Sequence, residues 1–126
     1  GGPVEPRYLF VLHSGLPGDI RSEHASEPVP GVVFEPAFGE VSGYLRHEWP
    51  DTAPDDRPRI NLFAGYSGWG PGQLESELAE NAWLVLPASP DIVFHPQPEK
   101  GWADAMARKG PFYELVAEMG FKPSIN

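Results

Sequence analysis

Apolar positions in this chain come in short runs separated by proline, glycine and acid. Residues 8–13 (YLFVLH), 31–34 (GVVF), 60–64 (INLFA), 83–86 (WLVL) and 92–94 (IVF) read as five short strands bounded by turn residues. Phe38, Val41, Leu45 and Trp49 recur at helical spacing and predict a helix over 38–49, against the cost of Gly39 and Gly43. Pro71 opens a helix predicted over 71–81, since proline at the first helical position lacks only an N–H that would be orphaned anyway. A further helix over 100–108 carries Trp102 and Met106 at i and i+4, and a last one over 112–119 is closed by Gly120 as its C-cap. Residues 14–30, with Gly15, Pro17, Gly18, Pro28 and Pro30, read as loop; residues 51–59 (DTAPDDRPR) read as an acidic linker. The pattern allows a βαβ unit over 60–86, its helix crossing between Leu62 and Leu84.

The densest information lies in 60–87, INLFAGYSGWGPGQLESELAENAWLVLP. Four glycines (Gly65, Gly68, Gly70, Gly72) follow the strand within eight residues, so the backbone there turns sharply or approaches something closely. The run Gly65-Tyr66-Ser67-Gly68-Trp69-Gly70-Pro71-Gly72-Gln73-Leu74-Glu75-Ser76-Glu77, followed by Asn81-Ala82-Trp83-Leu84 and Pro87-Ala88, resembles the signature of the YqgE/AlgH family of small bacterial proteins. Gly2-Pro3-Val4 with Leu9-Phe10-Val11-Leu12-His13, the stretch Pro87 to Phe94 and the close Ala117 to Ser124 also resemble that family, whereas 26–59 matches weakly. The resemblance implies one α+β domain over 1–126: a mixed, pseudo-barrel-like β-sheet with short flanking helices and the signature loop at its edge. It also implies a cytoplasmic protein. Family members carry an apolar segment and an N-R-P motif before the GGPV element, so the chain resembles the C-terminal two thirds of the family domain. Unprotected strand edges are then expected, and with them self-association or a second polypeptide filling the gap.

Composition narrows the chemistry. The length of 126 residues suits one domain, and the 16 prolines and 14 glycines imply short elements and many turns. Cysteine is absent, which removes disulfides and thiol chemistry. No run reaches the roughly twenty apolar residues of a membrane-spanning helix. The net charge of −9 repels phosphate backbones and anionic bilayers, and the nine basic residues form no stripe. Neither nucleic acid nor membrane is an expected partner, and the family's label of transcriptional regulator is disfavoured on charge.

The signature loop offers several chemistries and fits none of the standard ones. A strand, a glycine turn and a helix N-terminus suit an anion. Yet the glycines at 68, 70 and 72 are out of register with G-x-G-x-x-G, and no lysine lies between residues 1 and 99 to make a Walker loop. Ser67 lies where a nucleophile elbow would place its serine, but Trp69 occupies the position of the second glycine. The family pattern, moreover, accepts alanine at 67. His13, His24, His47 and His95 show no metal-ligand spacing or paired base. Asp51, Asp55 and Asp56 read as a solvated loop. Gly70 is read as the helix cap and Gln73 as its N3 residue, reaching back to the cap N–H. Glu75 falls within the apolar arc of Leu74, Leu78, Ala79 and Ala82, where a carboxylate needs partners; Glu77 reads as a solvated first-turn acid. Trp83 and Trp102 read as core aromatics, and Tyr66 with Trp69 as an exposed recognition anchor.

The expected function is therefore a non-enzymatic protein-binding or adaptor module. Its candidate surface is Tyr66, Ser67, Gly68, Trp69, Gly70, Gln73 and Glu75, with no catalytic residue, metal or cofactor. The alternative is a hydrolase-like enzyme with a pocket near Glu75 and the glycine-rich loop.

Overall fold

The computed structural model describes residues 4–119. Four strands form a sheet: β1 (Val4–His13), β2 (Ser26–Val29), β3 (Val32–Glu35) and β4 (Ile60–Tyr66), in the spatial order β2-β3-β1-β4. Five helices accompany it: α1 (Phe38–His47), α2 (Gln73–Ala79), α3 (Pro90–Val93), α4 (Pro98–Lys109) and α5 (Pro111–Glu118). The class is α+β, as expected, in one domain.

The sheet itself departs from expectation. Every pairing among the described residues is antiparallel, not mixed. β3 and β4 both run antiparallel to β1 and flank it, so the connection β3–α1–β4 is a helical crossover between strands of like direction with β1 between them. The crossover helix is thus α1, not the signature helix α2. Residues 83–86 form no strand, because no described strand lies beside them to take their backbone hydrogen bonds. Residues 92–94 are not a strand either: Pro90 opens the helical turn α3, with the Val93 N–H bonded to the Ser89 carbonyl at 3.0 Å.

β2 lies inside the stretch read as loop. Its proline, Pro28, cannot donate to a ladder, but β2 is an edge strand, where that donor is dispensable. The turn into β3 uses Pro30 to preset φ and Gly31 at φ +80°, the pairing of residue types a type II turn demands. A Cβ on Gly31 would also stand 2.9 Å from Pro90 Cγ, so α3 packs against this turn.

Alternation along β1 divides the sheet into two faces. Val11 and His13 share theirs with Glu35, Val33 and Ile60. α1 covers this face, and Val11, Leu16, Val41 and Tyr44 make the core beneath it. Trp49 meets Tyr44 edge-on at 6.3 Å, and Arg57 from the acidic linker lies 4.8 Å over the Trp49 ring. Phe10, Leu12, Phe34 and Phe63 point to the opposite face. One end of that face is closed by α3, whose Val93 carbonyl accepts from Asn61 Nδ2 at 3.3 Å. The rest is an open apolar groove of about 510 Å³ that Gly65 and Tyr66 complete.

α4 and α5 form a helical pair broken at Gly110 (φ +143°), with Pro111 starting α5. Met106 is buried as its spacing from Trp102 predicts. The expected cap Gly120 lies outside the described residues.

Candidate functional site

The signature loop leaves the sheet at its edge strand, as expected, and enters α2. The helix begins two residues later than predicted. Its N-cap is Gly72 at φ +75°, ψ −5°, not Gly70, and Pro71 sits in the preceding turn. Gln73 is therefore the first helical residue rather than the third. The bond foreseen for it is nonetheless made: the Gly70 N–H donates to Gln73 Oε1 at 3.0 Å, and the Gln73 N–H returns to the Gly70 carbonyl at 3.1 Å.

From Gln73 the network runs into one carboxylate. Gln73 Nε2 donates to Glu77 Oε1 at 3.1 Å, four residues along the helix. The other oxygen, Oε2, accepts two indole N–H groups, from Trp69 at 3.1 Å and from Trp83 at 2.6 Å. The two indoles meet edge-on, with centroids 5.8 Å apart and planes 67° apart. Hydrogen bonds from Trp83, then Trp69, then Gln73 hold the Glu77 carboxyl below the ordinary glutamate range, because each is stronger to the anion than to the neutral acid. Glu77 is thus not a merely solvated acid. It is half-buried and fixes the bearing of two aromatic rings that remain open to solvent, Trp69 at 41% and Trp83 at 49%.

The other candidate residues divide around this centre. Tyr66 ends β4 and meets Phe10 edge-on at 6.0 Å, so it belongs to the rim of the apolar groove as much as to the loop. Ser67, Gly68 and Gly70 are exposed, and a Cβ at Gly68 would meet nothing within 4 Å. Glu75 is exposed rather than lodged on an apolar side, because α2 is short and its other neighbours Leu78 and Ala79 are exposed with it. Neither the apolar groove on the sheet nor the small pocket beside α4 includes Glu75. Trp83 is surface, not core. Beyond it Leu84 and Val85 are exposed, and Lys109 Nζ donates to the Val85 carbonyl at 2.6 Å. Leu84 and Leu86 line a small pocket with Trp102 and Met106 of α4.

Two carboxylates that organise their surroundings escaped the sequence reading. Glu77 could have been found by asking which acceptor serves two indole N–H groups flanking an acidic helix. Glu35 gave no signal. It is fully buried on the α1 face, where its carboxylate accepts from the Ser22 hydroxyl, from the Ser22 N–H at 2.7 Å and from the Ala37 N–H at 3.1 Å. Burial pushes its carboxyl up, but the hydrogen bonds and nearby His13 together bring it below its ordinary value. His13, two positions along on the same face, is fully buried, and burial holds its imidazole below the usual range. Its Nδ1 accepts from the Gly15 N–H at 3.0 Å, which leaves the proton of the neutral ring on Nε2, where no partner meets it among the described residues. The Tyr44 hydroxyl in the same core likewise has no partner among the described residues. His95 is committed elsewhere: Nδ1 accepts from the Gln97 N–H at 2.9 Å and Nε2 faces Asp104 at 2.5 Å.

Among the described residues no three His, Asp or Glu side chains cluster as a metal site, and no helix is long and apolar enough to cross a membrane.

Comparison with known proteins places the chain and its fold. A UPF0301 protein of Thioalkalivibrio sulfidiphilus is 38% identical over 117 residues, which is 93% of this chain and 58% of that protein. A UPF0301 protein of Chlorobium chlorochromatii is 34% identical over 126 residues, 100% of this chain and 63% of its own. The chain thus spans about three fifths of the length of these curated relatives. The solution structure of the AlgH protein from Pseudomonas aeruginosa superposes with a TM-score of 0.64 at 31% identity, covering 99% of this chain and 59% of that one. The crystal structure of protein DIP2367 from Corynebacterium diphtheriae superposes at 0.66 with 25% identity, covering 91% of this chain and 56% of that one. The family model described as DUF179, AlgH-like, matches residues 1–114, and with these relatives it establishes that the chain belongs to the AlgH-like family.

Proposed function

We propose that the protein is a non-catalytic protein-binding module whose contact surface is the signature loop and the start of α2. What carries this reading is the Glu77 carboxylate, which anchors the Trp69 and Trp83 indoles while leaving both rings open. Large, pre-oriented aromatics lose little entropy on contact and are frequent anchors of interfaces. Tyr66, Ser67, Gly68, Gly70 and Gln73 border or brace that surface, and exposed Glu75 adds charge to it. A cytoplasmic setting goes with this proposal. So does the exclusion of nucleic acid, given the net charge of −9.

The hydrolase alternative loses its footing at two residues. Glu75 lies open on a short helix, and Ser67 lies exposed in the loop without a hydrogen-bond partner among the described residues. The test is affinity capture from cells that express the protein, comparing wild type with Trp69→Ala at equal folding by circular dichroism. Loss of specific partners from the variant supports the reading; identical partner sets remove it. An activity screen in which Glu75→Gln abolishes turnover with the fold intact would favour the enzyme instead.

A further inference from the structure

Aromatic faces and charge together narrow what can sit on this surface. Trp69 and Trp83 spend their N–H groups on Glu77, so what they offer a partner is their π-faces. The ring quadrupole makes those faces negative, and a cation is the group they attract. Glu77 adds a full negative charge within hydrogen-bond reach of both rings, held ionised by the same bonds that hold it in place. Exposed Glu75 on α2 and exposed Glu80 at its C-cap flank it. Between residues 60 and 99 the chain has no lysine or arginine at all. Of the cations that border the region, Lys109 is tied to the Val85 carbonyl, Arg108 is paired with Asp91 and donates to the Ser89 hydroxyl, and Arg59 lies over the Phe94 ring. Exposed Leu78, Leu84 and Val85 extend the patch with apolar area beside the acids.

We propose that the partner presents a basic peptide segment, with an arginine side chain lying against the Trp69–Trp83 pair and its guanidinium facing Glu77. The inference rests on the reading of the loop as a contact surface and adds the chemistry of what it contacts. Arginine fits better than lysine because a planar guanidinium stacks on an indole and sheds water more readily than an ammonium. The acids of α2 then speed encounter and reject acidic partners, and the indoles slow dissociation.

The test is calorimetric titration of the full chain with blocked hexa-arginine, hexalysine and hexaglutamate peptides at near-physiological salt. The expected order is hexa-arginine tighter than hexalysine, with no binding of hexaglutamate. Trp83→Ala and Glu77→Gln should each weaken hexa-arginine by ~10-fold, a loss on the scale of one partly desolvated cation–π contact. Glutamine can still accept the indole N–H groups, so an unchanged near-UV spectrum of Glu77→Gln shows that the rings kept their places. The comparison variant is Asp55→Asn with Asp56→Asn, which removes charge from the exposed linker and should leave affinity unchanged. Equal weakening by that variant means diffuse attraction and overturns the proposal, as does absence of hexa-arginine binding. If captured partners still depend on Trp69 while hexa-arginine does not bind, the contact surface stands and its cationic occupant falls.

Discussion

Trp83 donates its indole N–H to Glu77 Oε2 at 2.6 Å across a span of six residues, closing the chain that leaves α2 back onto the helix. That bond makes the end of the signature a fixed loop, although residues 80–89 contain no regular element. Its removal has a specific signature. Glu77→Ala should free both indoles, reducing near-UV ellipticity and shifting tryptophan emission to the red, while Glu77→Gln preserves both signals. The Glu77 carboxyl is held below its ordinary 4.5, so its contribution is complete above that value and is lost as pH falls through the lower folded value. Near-UV ellipticity in the wild type should therefore persist through pH 4.5 and drop only below it. A loss beginning near neutrality would show that the carboxylate does not organise the rings.

Acid should also weaken the fold through the buried pair. Above pH 6.5 His13 is neutral in the native state, its imidazole held below its ordinary value by burial, with Glu35, Arg21 and Glu27 the charged groups acting on it. Below 6.5 the unfolded chain takes up a proton that the native chain refuses, so stability falls with pH until the folded value is reached, by at most about 1.4 kcal/mol per unit. Glu35 works in the same direction at lower pH: its contribution is present above 4.5 and lost beneath. Urea titrations across pH should show His13→Gln flattening the upper part of this profile. A wild-type slope that survives the substitution assigns the effect to another group.

Glu35→Ala should cost about 2–4 kcal/mol, because the Ser22 hydroxyl, the Ser22 N–H and the Ala37 N–H lose their acceptor. The midpoint of thermal unfolding measures this. A shift no larger than that of an exposed acid such as Asp55→Ala would contradict the buried network.

Two glycines make opposite predictions. Gly31→Ala meets both a left-handed backbone at φ +80° and the Pro90 ring at 2.9 Å, and should destabilise by about 1–3 kcal/mol. Gly43 lies within α1 with nothing within 4 Å of a new Cβ, so Gly43→Ala should stabilise by about 0.5–1 kcal/mol. Paired denaturation curves compare them directly; a stabilising Gly31→Ala would refute the turn geometry.

Self-association is expected of this chain in isolation. β4 is an edge strand among the described residues, with Leu62 53% and Phe63 44% exposed, beside an apolar groove. Sedimentation velocity should show mass rising with concentration, and Phe63→Glu should restore the smallest species. A monomer at every concentration would indicate that this face is covered in some other way.

Periodicity and turn chemistry alone determined β1, β3, β4, α1, α4 and α5, because each pairs a local apolar spacing with turn or helix-start residues at its ends. The signature likewise settled the family, and the reach from Gln73 to Gly70 is local enough to be read from three-residue spacing. The rest depended on neighbours distant in sequence. β2 was hidden because a proline is excluded from central strands and tolerated at an edge, and only the strand order shows which β2 is. Residues 83–86 have the composition of a strand, but composition supplies no pairing partner, and without one the run docks partly on α4. The organising role of Glu77 was decided by the fold of the loop, which brings Trp69 and Trp83 from either side of α2 to one oxygen. His13 and Glu35 were decided by register: the pairing of Val11 with Glu35 and of His13 with Val33 sets both polar groups on the face that α1 seals. A slip of one residue would have turned them to the other face.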